Sequence, residues 1–295
     1  MNDNKKVSWL YVVLTVIISA VATFFQYIVK NNYIDESVDL YKTGVVTPEA
    51  FGIFMVIAVL FMLTPAFIMR MDALPKKLKY GSFLTSFMSI LCAFLVAFTA
   101  FMFFMSKSEV AHLGSTQMIV YKLRFACSVI AFPTAIYYLT VSFTWKKNND
   151  VISWLSFLPI LWTLIYLMSV YFDHSVLINS PLRIVQQTAL ILLMVYQLFE
   201  TRSHIGNSKP IVYFILTNLT ILFLSTAFIP ELVDLLLGKQ KMTLDMSYVL
   251  YGCGMVLYVL ARTVDFAAGC NFDGKKLFTR KTPPKNDIFS VDEAE

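Results

Sequence analysis

Residues Phe83 to Met105 read FLTSFMSILCAFLVAFTAFMFFM, 23 residues without a charged side chain. A bilayer's hydrocarbon core is roughly 30 Å thick, and a helix needs about 20 residues to cross it. Lipid offers no water to backbone amides, so such a block must be helical. A β-barrel would instead show alternating strands of about ten residues, and none occurs. Working outward, seven more apolar blocks of similar kind appear: Trp9–Val29, Phe51–Met69, Val120–Phe143, Val151–Phe172, Ile184–Leu198, Ile211–Ile229 and Met246–Phe266. The sixth span, Ile184–Leu198, is the shortest, and is expected to extend over Leu182-Arg183 and Phe199. The first is too long for a cleavable leader and ends in Gln26-Tyr27-Ile28, so it reads as a signal anchor.

The fold class is therefore all-α, a polytopic transmembrane bundle of about eight spans. Composition agrees: 58% of the 295 residues are hydrophobic and 15% charged, against roughly 25% charged in soluble domains. Three regions follow: an N-terminal tail over 1–8, the bundle over 9–268 and a polar tail over 269–295, expected to be disordered. No soluble domain is present to house a kinase, an ATPase or a nucleic-acid reader. Sixteen of the 24 Lys and Arg residues fall in segments on the side of the N-terminus and eight on the other. The positive-inside rule then puts both termini in the cytoplasm. Seven or nine spans would put one terminus outside and spoil the pattern. In the last outer segment, Leu232-Val233 and Leu235-Leu236-Leu237 before Gly238 predict a short interfacial helix stopped by the glycine.

Ser89, Ala93 and Ala97 recur every fourth residue in the third span, and Cys127, Ala131 and Ala135 do so in the fourth. Such smooth ridges let membrane helices pack closely, so these two spans are expected to be neighbours. Gly252 and Gly254 in the eighth span are expected to admit another backbone. Pro65, Pro133 and Pro159 each remove a helical hydrogen bond and favour kinks in spans two, four and five.

Ionisable groups deep in a membrane point to function, and this chain is poor in them. Arg124 lies about a turn inside the outer end of the fourth span, where it either snorkels to headgroups or meets a substrate carboxylate. Arg262 and Asp265 sit three residues apart on one helix face and are expected to pair, and Glu200 and Arg202 look like a pair at the inner boundary. Asn218 is the deepest polar residue, flanked by Thr217; an unpaired amide in lipid costs several kcal/mol, so it is expected to have a partner. With Gln186 and Gln187 near the outer end of the sixth span, these residues form the candidate substrate-binding set. The bland alternative is interhelical hydrogen bonding that holds the bundle.

Enzyme signatures are missing. No HExxH, GxSxG or phosphate loop occurs, and no lysine lies mid-span for a Schiff base. The cysteines Cys92, Cys127, Cys253 and Cys270 form no CxxC pair and read as small hydrophobes. No metal or cofactor is expected. His112, His174, Asp173 and Glu109 are the one remote outer cluster.

Leu158-Pro159-Ile160-Leu161-Trp162, then Asn179-Ser180, Leu198-Phe199-Glu200 into Arg202, and Tyr258-Val259-Leu260-Ala261-Arg262 resemble a group of uncharacterised multi-pass membrane proteins of Clostridia-type bacteria. The resemblance covers about a third of the chain. It implies a bacterial cytoplasmic membrane and no function.

Two functional readings follow. One is a permease-like or flippase-like protein for a neutral or lipophilic small molecule. The other is a non-transporting sensor, accessory or scaffold protein with a membrane-protein partner. The bilayer is the common partner, and nucleic acid is not one.

Overall fold

The computed structural model describes residues 3–35, 40–42, 44, 46–69, 82–106, 114–143, 150–173, 177, 179–205, 209–238 and 244–269. The order is α1 (Asp3–Tyr33), β1 (Ile34–Asp35), β2 (Leu40–Tyr41), α2 (Val46–Leu63), α3 (Pro65–Ile68), α4 (Phe83–Met105), α5 (Ser115–Phe143), α6 (Asp150–Leu155), α7 (Phe157–Phe172), α8 (Pro181–His204), α9 (Pro210–Leu236) and α10 (Met246–Gly269). The pairs α2–α3 and α6–α7 each count as one, so among the described residues eight helices are long and apolar enough to span a membrane. The small strands pair antiparallel, Ile34 with Tyr41 and Asp35 with Leu40.

Ends follow local chemistry. Ser82 caps α4 by accepting from the Thr85 amide at 3.1 Å. Pro181 and Pro210 open α8 and α9, where a missing N–H costs nothing. Pro65 opens α3 after a break at Thr64, and Pro159 lies three residues past the break at Ser156. Pro133 lies within the unbroken α5. Gly238, at φ 69°, ends the turn after α9.

α1 begins at Asp3, six residues before the first apolar block at Trp9. Two sequence readings need correction. Leu232–Leu236 is not a separate interfacial helix, because α9 runs straight through Pro230. Proline removes only one hydrogen bond, and neighbouring hydroxyls and helices absorb the loss. Gly252 and Gly254 receive side chains rather than a backbone: a Cβ at Gly252 would run into the Phe228 ring, and one at Gly254 into the tip of Leu95. The tail beyond 269 and the cluster members Glu109, His112 and His174 lie outside the described residues.

Each crossing reverses direction. The face where α1 begins and α10 ends is called the amino-terminal face, and the other the opposite face. Ring contacts among Tyr11, Phe214 and Phe266 fix these three helices together near the amino-terminal face. α9 is the central helix: 83% of its apolar window is buried, against 28% for α2. α1, α8 and α10 pack around it. α4 and α5 form the most extensive pairing in the bundle, as their small-residue ridges led us to expect. Ser89 Oγ there donates to the Tyr138 carbonyl at 2.5 Å.

The Gly252 contact gives a first prediction. Gly252→Ala is expected to destabilise the protein by about 1–3 kcal/mol, the usual cost of overpacking, because the new Cβ would overlap the Phe228 ring, which is fully buried. Denaturant titration in mixed micelles reads this directly, and an unchanged midpoint would show that the ring gives way.

Candidate functional site

Polar side chains from α5, α7, α8, α9 and α10 form a column through the bundle. At the opposite face it begins in a recess lined by Arg124, Tyr166, Ser169, Val170, Asp173, Arg183, Gln186, Leu244, Asp245 and Tyr248. Arg124 forks between two helix ends: Nη2 lies 3.1 Å from Asp173 and Nη1 2.9 Å from Asp245. A planar guanidinium suits this double contact. Arg183 is 2% exposed and donates to the Val170 carbonyl at 2.6 Å and to the Tyr171 carbonyl. These are orphan carbonyls of the last turn of α7, where a cation also meets the negative end of the helix dipole. The recess holds about 20 Å³, room for roughly one water.

Below it lies an aromatic layer. Tyr166 and Tyr248 stack with ring centres 4.2 Å apart, and Trp162 meets Tyr251 at 4.4 Å. The Tyr166 hydroxyl is buried and has no hydrogen-bond partner among the described residues. Beneath the rings, Thr163 Oγ1 donates to Gln197 Oε1 at 2.9 Å.

Towards the amino-terminal face the column ends in a buried ion pair. Arg262 Nε lies 2.7 Å from Glu200 Oε1, and Tyr258 donates to the same oxygen at 2.9 Å. Arg262 is 1% and Glu200 2% exposed. Tyr138 meets Tyr258 edge-on at 5.5 Å, and Tyr196 lies 5.8 Å from Tyr213. His204 and Tyr137 share a hydrogen bond at 3.1 Å beside them.

This arrangement revises the expected pairings. Arg262 is bonded to Glu200, 62 residues away, while Asp265 accepts from Ser82 and Thr85 of α4. Arg202 sits over the Phe199 ring, 5.5 Å from its centre. The recess brings together Arg124 and Gln186 from the candidate set. Gln187 is half-buried and not part of its lining. Thr217 donates to the Phe214 carbonyl at 2.7 Å within its own helix. Asn218 is fully buried, yet neither amide atom has a hydrogen-bond partner among the described residues, contrary to expectation. Helical spacing places Asn218 with Phe214 and Ser225 on one face of α9, away from Tyr213, which meets Tyr196 of α8 in the column.

A second charged cluster lies at the opposite face between α1 and α9. Lys30 Nζ is 2.8 Å from Glu231 and 2.6 Å from Asp234. All three side chains are buried, at 9%, 1% and 2% exposure.

No protein family, curated protein or solved structure matches the chain. The chemistry is therefore read from the side chains. Among the described residues no group of three His, Cys, Asp or Glu side chains is placed to hold a metal ion.

Proposed function

We propose that the protein is a permease-like or flippase-like protein of a bacterial cytoplasmic membrane, with both termini inside, passing a small molecule of no net charge along the column. The observation that carries this reading is charge balance. Arg124 and Arg183 face Asp173 and Asp245 around the recess, and the other end holds one cation against one anion, Arg262 and Glu200. A charged solute would meet no compensating field at either end, and desolvating it would be costly. A neutral solute can exchange hydrogen bonds with Tyr166, Gln186 and Tyr248 and slide over the rings. The narrow recess fits a state closed at the opposite face by Arg124, which ties α5 to the ends of α7 and α10.

The test is water access at mid-depth. All four native cysteines are replaced, Thr163→Cys is installed, and a small membrane-impermeant thiol reagent is applied to whole cells and to inside-out vesicles. Thiolates need water to react. Labelling from either side is expected, with Ser106→Cys, exposed at the end of α4, as the control. No labelling from either side, with Ser106→Cys reacting, would favour a closed sensor or accessory protein instead. Adding Arg124→Ala is expected to speed labelling from the opposite face severalfold. Stability should change by less than about 1 kcal/mol, because the bridges are partly exposed.

A further inference from the structure

A groove between α1, α4 and α10 opens sideways to the lipid in the half of the bundle nearer the amino-terminal face. Its lining is wholly apolar, includes Val12, Val16, Met88, Leu257 and Ala261, and encloses about 320 Å³. A cavity of about 150 Å³ already holds a benzene ring, so this space takes a stretch of hydrocarbon chain. Val16 and Leu257 are each 43% exposed, which leaves the flank open for a chain to enter from the bilayer.

Helical spacing carries the faces that line the groove on to charged residues nearer the amino-terminal face. On α10 the face that carries Leu257 and Ala261 continues one turn later into Asp265. Ser82 and Thr85 hold that carboxylate, Ser82 Oγ donating to Oδ2 at 2.8 Å. On α1 the face that carries Val13 and Ile17 continues back to Trp9 and to the exposed Lys6. Beyond the slot, on the side of the amino-terminal face, two of the helices that line it thus carry one fixed carboxylate and one ammonium, with Trp9 one turn before Val13 of the lining, a residue type that favours headgroup depth.

We infer that the α1–α4–α10 groove binds one zwitterionic phospholipid, its acyl chain in the slot, its ammonium on Asp265 and its phosphate towards Lys6. Charge complementarity selects this occupant. An anionic lipid would bring its phosphate to Lys6 but offer nothing to Asp265. The site lies on the lipid-facing side of α10, and the transport reading neither requires it nor falls with it.

The protein is reconstituted in vesicles of equal phosphatidylethanolamine and phosphatidylglycerol, released into detergent and weighed by native mass spectrometry. The wild type is expected to keep one phospholipid, with the ethanolamine lipid enriched about three- to fivefold, as an interfacial ion pair allows. Asp265→Asn keeps one lipid and loses the enrichment. Val16→Trp fills the slot and strips both lipids, and Lys6→Gln lowers retention of both. The last two sit at exposed positions and carry the test even where Asp265→Asn fails to fold. An equal ratio of the two lipids on the wild type, or a Val16→Trp protein that holds as much lipid as the wild type, would overturn the assignment.

Discussion

Arg262→Leu is expected to destabilise the protein by about 3–5 kcal/mol, because it leaves Glu200 as an uncompensated buried carboxylate. Glu200 is 2% exposed, and its Oε1 already draws on both Arg262 and Tyr258. With the guanidinium gone, one neutral phenol remains against a full charge. Glu200→Leu should cost about as much for the mirror reason, since it strands the cation. The double variant, Glu200→Leu with Arg262→Leu, should recover most of the loss, because an apolar pair of similar volume is close to neutral. Reversible unfolding by dodecyl sulfate in mixed micelles measures all three. Additive losses in the double variant would mean that the two groups are held by other partners and that their bond contributes little.

Lys30→Met is the second large effect, again about 3–5 kcal/mol. Glu231 and Asp234 both lie against the Lys30 ammonium and are buried. Removing the cation leaves two like charges a few ångströms apart in low dielectric. The three groups sum to one negative charge, so Glu231→Gln alone should be far milder: it leaves a balanced Lys30–Asp234 pair. Lys30→Met combined with Glu231→Gln and Asp234→Asn should return towards wild type. The same unfolding assay separates these variants. A Lys30→Met protein within about 1 kcal/mol of wild type would show that the carboxylates are neutralised by other means.

These two clusters also mark where sequence reading stops. The eight crossings follow from hydropathy, since a helix must satisfy its backbone within lipid wherever the apolar run is long enough. The contact between α4 and α5 was legible because both ridges repeat at helical spacing. The ion pairs were not. Sequence spacing can match Arg262 only with Asp265, three residues on, while Glu200 and Arg202, two apart, are neighbours in sequence that point to different faces. The fold instead joins α8 to α10 across 62 residues. Lys30, Glu231 and Asp234 fell outside their spans because the apolar runs stop at Val29 and Ile229, whereas the helices continue to Tyr33 and Leu236. Tyrosines suffer a similar ambiguity. Tyr196, Tyr213, Tyr251 and Tyr258 are at most 1% exposed, while the same residue type is the usual occupant of interfacial belts. A belt tyrosine falls near a span's end, and Tyr251 and Tyr258 lie inside α10, which was the one available signal. Arg124 was visible, but its choice between headgroups and a site depended on Asp173 and Asp245 arriving from other helices.

The central place of α9 sets a timetable for biogenesis. α1 leaves the ribosome well before α9, yet α9 is its main partner, and Lys30 meets Glu231 only after 201 further residues. At about 5–20 residues per second that is a wait of roughly 10–40 s. Throughout it, α1 stands in lipid with Ser19 and Gln26, which the finished bundle buries, still uncovered, and Lys30 must reach for the headgroups. When α9 does emerge, its two carboxylates find their cation already threaded and waiting, so the earlier helix α1 serves as the docking template for α9.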